Sequence, residues 1–366
     1  MDEITRLARP AILAMTPYSS ARTEGRQTAI RIYLDANENP YPPFPGTADE
    51  LGLNRYPMGQ PPHLLEIFSD HFGVDREWLL FARGADEAID LLVRGFCAEG
   101  TDALIVTPPT FAMYAHSAQV QGVDMLEVPL TPGDFQLDVD GIVATQATNP
   151  QAKLVFLCSP GNPTAKLLAR HDVLHVARAL FGAALVVVDE LYLDYSGAES
   201  LATALDEHPN LVVLRSMSKE YGLAGERFGI TIAHPAVISI LGRMLPPYPL
   251  TQSAIRAVTA VMSPDGMAYA KARISTIVDE RERLAKAFRA APAVRRVFPS
   301  DANFLLVQVA QPRRLIAMME DAGIKIRDRS TLRGAEGSVR ISVGTPQEND
   351  ALLEVFERYA EAHPAA

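Results

Sequence analysis

Ser216-Met217-Ser218-Lys219-Glu220-Tyr221-Gly222-Leu223-Ala224-Gly225-Glu226-Arg227-Phe228-Gly229 is the stretch on which the reading of this chain turns. It follows the apolar run Leu211 to Leu214, which is short and bounded by turn residues, as buried strands are. Two hydroxyls precede a lysine, glycines loosen the backbone after it, and an arginine comes two helical turns' worth of chain later. An amine that attacks a carbonyl needs surroundings that discourage its protonation, and lysine is the side chain whose pKa yields most readily. Ser216, Ser218 and Arg227 supply donors of the kind that hold a phosphate dianion. The combination suggests a lysine joined as an imine to a phosphate-bearing aldehyde, pyridoxal phosphate. The motif alone more often marks an ordinary surface loop, so its surroundings decide.

Outward from this stretch, Ala183 to Val188 is apolar at consecutive positions, the pattern of a strand covered on both faces in a parallel sheet. It stops at Asp189, where a carboxylate is costly unless a cation or hydrogen-bond donors meet it. Tyr192 lies three residues on. Lys153 to Leu157 is another such strand and breaks at the strong turn Pro160-Gly161-Asn162-Pro163; the Asn162 amide can reach a ring oxygen. Ala103 to Val106 leads to Phe111, an aromatic placed to lie flat against a planar ring. Gly84, Ala85 and Asp86 open the helical pattern Ala88 to Phe96, and a helix N-terminus with free N–H groups binds phosphate. The alternation of strand and helix from about 80 to 235 reads as a parallel α/β sheet, in which ligands collect outside the strands' carboxyl ends. The residues singled out share that location.

The proline-rich passage from Pro40 to Pro62, carrying Tyr56, reads as irregular. Past Leu245-Pro246-Pro247-Tyr248-Pro249-Leu250 the pattern changes to a long helical stretch from Met267 to Ala290. Strands at Asn303 to Val309, Ile324 to Arg327 and Val339 to Gly344 follow, with helices between and after. This predicts a large α/β domain over 45–250, and a smaller α+β domain made of 1–44 and 251–366. Arg340 sits mid-strand between apolar neighbours, where an arginine wants an anion.

Length, 366 residues, suits two domains; 48% hydrophobic and 21% charged residues belong to a folded soluble protein. A net charge of −10 argues against nucleic acid or an anionic membrane as main partner. No signal-like start and no bilayer-length apolar run is present. Cys97 and Cys158 read as buried thiols without metal-ligand spacing, and a reducing cytoplasm is the expected compartment.

With Asn162, Asp189, Tyr192, Lys219, Arg227 and Arg340 in this order, the chain resembles fold-type I pyridoxal-phosphate aminotransferases. Leu34 to Pro40, Asn54 to Pro57, Arg83 to Glu87, Cys158 to Thr164, Val339 to Gly344 and Thr16-Pro17-Tyr18 are similar to the histidinol-phosphate aminotransferase family over nearly the whole length. The resemblance implies that Lys219 forms the imine and shuttles the substrate proton, and that Asp189 pairs with the ring nitrogen. Asn162 and Tyr192 would donate to the ring oxygen, and Phe111 would stack on the ring. Gly84, Ala85, Asp86, Ser216, Ser218 and Arg227 would hold the phosphate. Arg340, with Arg327 and Tyr18, would bind the substrate's anionic end, and Asn162 would lie beside it. Tyr56 would reach the neighbouring subunit's site, so a homodimer is expected. The implied reaction exchanges an amino group between histidinol phosphate and 2-oxoglutarate, giving glutamate. An aromatic-amino-acid aminotransferase and a threonine-phosphate decarboxylase are the alternatives. Five positions depart from the usual pattern: Glu220-Tyr221 after the lysine, Glu226 beside Arg227, Ala165 for a common glycine, and Phe111 for a tyrosine. Glu226 is expected to point away from the phosphate site.

Overall fold

The computed structural model describes residues 3–15 and 52–362. Aliphatic runs build a seven-stranded sheet from β1 (Leu79–Ala82), β2 (Ala103–Val106), β3 (Asp124–Glu127), β4 (Ala152–Cys158), β5 (Leu185–Asp189), β6 (Leu211–Ser216) and β7 (Gly229–Ala233). The strand order is β1-β7-β6-β5-β4-β2-β3. β3, β2, β4, β5 and β6 run parallel, as the continuous apolar runs predict. β7 does not: it is antiparallel to both β6 and β1. The link from β6 to β7 contains no α-helix, only the short 3-10 turn Ala224–Glu226, so it cannot cross over to a parallel strand and turns back instead.

Both faces of this sheet are covered. Val186 and Val188 point to a layer formed with α2 (Pro62–Phe72), α5 (Val139–Thr148), α6 (Arg170–Ala179) and α8 (Gln252–Val261). Leu185 and Val187 point the other way, to α1 (Pro10–Leu13), α3 (Ala85–Phe96), α4 (Ala112–Gln121) and α7 (Pro235–Gly242). The presence of α1 in that second layer corrects the expectation that the N-terminal segment packs on the smaller unit. Ile4, Leu7 and Ile12 bury against the core that also holds Leu91, Phe96 and Leu241. Arg9 and Arg243 fasten the segment through the carbonyls of Arg94 and Leu13, at 2.8 and 2.5 Å. Its amphipathic stripe completes an outer helix layer, which is the physical reason for the placement.

The second sheet contains β8 (Val294–Val297), β9 (Phe304–Val309), β10 (Arg327–Arg329) and β11 (Ser338–Ser342), all antiparallel in the order β10-β11-β9-β8. One face packs on α9 (Pro264–Ala290), α10 (Pro312–Asp321) and α11 (Pro346–Ala362), with Leu284, Leu305, Val307, Val339 and Phe356 in its core. β10 starts later than the sequence pattern predicts, because Ile326 buries in that core just ahead of it. The expected boundary at residue 250 is also softer than the composition suggests: Ile255 and Val258 of α8 belong to the larger core. The change of unit falls within α9, whose Ile274, Ile277 and Val278 pack with Tyr192, Tyr195 and Phe304. Both cysteines are free and buried, as expected.

Candidate active site

The carboxyl ends of β2, β4, β5 and β6 open into a cavity of about 840 Å³, lined on its far side by β10 and β11. β5 is apolar until it ends in Asp189, which is 2% exposed. Burial pushes the Asp189 carboxyl up to about 6, and two donors draw it back: the Tyr114 hydroxyl, 2.8 Å from Oδ2, and the Leu191 N–H, 3.2 Å from Oδ1. A desolvated carboxylate so held favours a cationic N–H as its remaining partner. Tyr114 was not singled out in the sequence. It lies one turn beyond Phe111 at the start of α4, stacks on Phe156 at 4.7 Å, and reaches Asp189 from underneath. The signal available was its spacing of three from Phe111 on a helix that begins at the mouth of β2.

Lys219 follows the end of β6 and lines the same cavity as Asp189. Tyr195 fixes the lysine's backbone by donating its hydroxyl to the Lys219 carbonyl at 3.0 Å. Among the described residues the amine itself makes no hydrogen bond or ion pair. The base of its loop is closed by Ser216, whose hydroxyl lies 2.9 Å from Ser218 Oγ and 3.2 Å from the Phe228 carbonyl.

The phosphate cradle sits beside it. Gly84 has φ +81° and precedes α3, leaving the N–H groups of Ala85 and Asp86 at the helix start. A Cβ at Gly84 would come within 2.6 Å of Arg227 Nη2. One at Gly229 would come within 2.3 Å of the Gly84 carbonyl carbon, so two glycines let loop and strand close on one another. Arg227 reaches Ser218 Oγ at 3.5 Å and Asp86 Oδ2 at 3.2 Å. Glu226 turns from the cradle, as expected, and accepts from Ser253 at 3.0 Å.

Asn162 connects the two ends of the cavity. Its Oδ1 accepts from Arg340 Nη1 at 2.5 Å, which directs its Nδ2 to the Tyr192 hydroxyl at 3.3 Å. Phe111, at the head of α4, faces the same space. Arg340 stands directly opposite Arg327 across β11 and β10, and both line the cavity. Burial, with Arg327 adding to it, lowers the Arg340 pKa, while Tyr192 opposes. These groups fit pyridoxal phosphate. The glycine cradle with a helix start takes the phosphate, Asn162 and Tyr192 can meet a phenolic oxygen, and Asp189 can meet a ring nitrogen. Tyr56 is 50% exposed, stacks on Tyr248 at 4.4 Å, and does not line the cavity of its own chain. Tyr18 lies outside the described residues.

Glu220, next to Lys219, is 5% exposed and buried under the loop. It joins a cluster in which Arg215 Nη2 contacts Asp194 Oδ1 at 2.6 Å and Nη1 approaches Glu190 Oε2 at 3.6 Å. Tyr221 donates to Asp194 Oδ2 at 3.1 Å. Burial pushes the Glu220 carboxyl up to about 8, with Asp194 adding to the rise and Arg215 opposing it. Its Oε1 has no hydrogen-bond partner among the described residues.

Residues 28–356 match the family described as aminotransferase class I and II. A histidinol-phosphate aminotransferase of Stenotrophomonas maltophilia is 42% identical over 356 residues, covering 96% of each chain. One of Pectobacterium carotovorum is 38% identical over 358 residues, covering 98% of each. The crystal structure of histidinol-phosphate aminotransferase from Sinorhizobium meliloti, in complex with pyridoxal-5′-phosphate, matches with a TM-score of 0.78 at 23% identity, over 96% of this chain and 97% of that one. At that identity the likeness is one of fold.

Proposed function

Because the chain belongs to the class I and II aminotransferases, and within them to the histidinol-phosphate aminotransferases, we propose that it exchanges an amino group between histidinol phosphate and 2-oxoglutarate. Imidazole-acetol phosphate and glutamate are the products, and the step belongs to histidine biosynthesis. One observation carries the reading beyond the relatives' names: a single cavity has an amine, a buried carboxylate and a phosphate cradle at one end, and, at the other, two arginines that form no ion pair among the described residues. Neither the aromatic-amino-acid aminotransferase nor the phosphate-ester lyase gains a separate observation in its favour.

Pyridoxal phosphate, when bound, supplies an electrophilic aldehyde and an electron sink for the substrate's Cα. The chain does the rest. Lys219 Nζ would hold the aldehyde and, as a free amine, would take up the proton leaving the substrate's Cα and return it on the other side of the amino-group transfer. Asp189 would hold the ring nitrogen in its protonated form, and Tyr114 fixes the carboxylate by donating to Oδ2. The backbone at Ala85 and Asp86, with Ser216, Ser218 and Arg227, anchors the phosphate. Asn162 and Tyr192 hold the phenolic oxygen, and Phe111 covers one ring face by stacking, without a hydroxyl to donate. Arg340 and Arg327 receive the phosphate of one substrate and a carboxylate of the other in turn, so one anion site serves both half-reactions.

Tyr56, on the protein surface with its ring stacked on Tyr248, is assigned to the partner's site in a homodimer. The catalytic unit is assigned to the chain from about 45 through α8 together with the N-terminal helix, and the smaller one to the chain from within α9 onward. Among the described residues no helix is long and apolar enough to cross a membrane, which suits the cytoplasmic setting proposed here. The test is a panel of half-reactions on the cofactor-loaded enzyme. Histidinol phosphate should be deaminated far faster than phenylalanine or tyrosine; comparable rates would overturn the assignment. Arg340→Ala should slow the half-reactions with histidinol phosphate and with glutamate alike. Loss of only one would rule out the shared anion site.

A further inference from the structure

The small sheet carries more positive charge into the cavity than two arginines. Residues two apart on a strand share a face, and residues directly opposite on neighbouring strands share one too. Arg327 pairs with Arg340 across β10 and β11, and Arg329 pairs with Ser338. Val339 and Ile341 of β11 point into the small core, so Ser338 and Arg340 project to the opposite side. Arg329 therefore belongs to the same face as Arg327 and Arg340, and all three line the cavity. Among the described residues no carboxylate lies within ion-pair distance of any of them. Arg329 spends one donor on the adjacent Asp328 carbonyl at 2.9 Å and keeps the rest of its fork. Partial burial, then Arg340 and then Arg327, lower its pKa. Three guanidiniums so close repel one another, and the repulsion is relieved by a bound anion of matching charge. A carboxylate brings one negative charge. A phosphate monoester brings up to two above its second pKa, about 6, with three acceptor oxygens. Two arginines suffice for the first; the second can use a third.

We propose that Arg329 is a specificity-determining residue that, with Arg327 and Arg340, selects a dianionic phosphate monoester over a carboxylate at the anionic end of the cavity. This rests on the reaction proposed above and names a residue that neither the resemblance nor the sequence pattern assigned. It also accounts for how a chain of net charge −10 captures a dianion: the field is local.

The test measures half-reactions for the cofactor-loaded wild type, Arg329→Gln and Arg329→Lys, with histidinol phosphate and separately with glutamate, at fixed low ionic strength. For Arg329→Gln, kcat/KM with histidinol phosphate should fall about ten- to hundredfold, the range of one charge-assisted contact, chiefly through KM. With glutamate it should fall by less than about threefold, and Arg329→Lys should recover part of the loss. Inorganic phosphate should inhibit wild type competitively and Arg329→Gln much less. The gap between wild type and variant should narrow as pH drops through about 6, where the ester becomes a monoanion. A parallel fall for both substrates, or no fall, overturns the role of Arg329. Failure of the wild type itself to convert histidinol phosphate would instead overturn the reaction, so the two ideas fail separately.

Discussion

Replacing Glu220 by glutamine removes an ionisable group from the most crowded charge cluster near the lysine while keeping its shape. Three acids, Glu190, Asp194 and Glu220, share the single cation Arg215, and Glu220 is the one without a partner for Oε1. Its carboxyl is pushed up to about 8 from an ordinary 4.5. An acid with a raised folded pKa makes the folded state hold a proton that the unfolded chain releases. Stability is then full below the unfolded value and falls as pH rises from about 4.5 to about 8. At about 1.36 kcal/mol per pK unit the wild type loses roughly 3 kcal/mol by pH 7, and up to about 5 by pH 9, as upper limits. Glutamine carries no such loss. With an unfolding entropy of about 2.1 cal/mol/K per residue, the whole chain has about 0.8 kcal/mol/K, so 3 kcal/mol corresponds to about 4 °C. Thermal melts of wild type and Glu220→Gln, taken from pH 5 to pH 9, should nearly coincide at the acid end and separate steadily toward the basic end, with the variant higher. A constant separation, or one that shrinks as pH rises, would refute the idea of a buried neutral acid beside Lys219.

The same reasoning applies to Asp189, pushed up to about 6 by burial: in cofactor-free enzyme, Asp189→Asn should melt higher than wild type above pH 6 while transamination collapses. A lower melting temperature at pH 8 would contradict it. Tyr114→Phe leaves Oδ2 of Asp189 without its donor, a cost of about 1–3 kcal/mol. It should raise the Asp189 pKa further, so that the pH midpoint of pyridoxal phosphate binding, followed by absorbance, moves up; an unmoved midpoint would remove Tyr114 from the site. Gly229→Ala places a Cβ against the backbone of Gly84 and Ala85, and overpacking of this kind costs about 1–3 kcal/mol. Fluorescence titration should show weaker cofactor binding, and unchanged affinity would mean that the cradle tolerates the shift.

Much of this architecture is written locally in the chain. The apolar runs of β4, β5 and β6 are continuous because both faces are covered, and such runs stand out without any knowledge of their partners. β3 is nearly all exposed at the sheet edge, and β8 carries two exposed arginines, so neither has a burial signature. The reversal of β7 depends on what the β6–β7 link lacks, a helix, and is visible only once strand order is known. In the site, Asp189 and Arg340 could be singled out because each is polar where a strand is otherwise apolar, Lys219 by the hydroxyls and arginine around it, and Asn162 by the strong turn that ends an apolar strand. Tyr114 could not, since a buried tyrosine near a helix start looks like any core aromatic until its hydroxyl is placed. The packing of residues 3–15 on the larger core is not legible for a related reason: an amphipathic stripe tells that a helix packs, but not on which of two cores.

The long helix α9 runs unbroken for 27 residues, about 40 Å, from the larger unit to the smaller one. Its middle lies against the turn that presents Tyr192 and Tyr195 and against Phe304 of the arginine-bearing sheet. A stiff rod in that position leaves no slack between the two halves. Any shift of the arginine-bearing strands would pass through that rod to Tyr192 on the cofactor side, so the two ends of the site are mechanically joined.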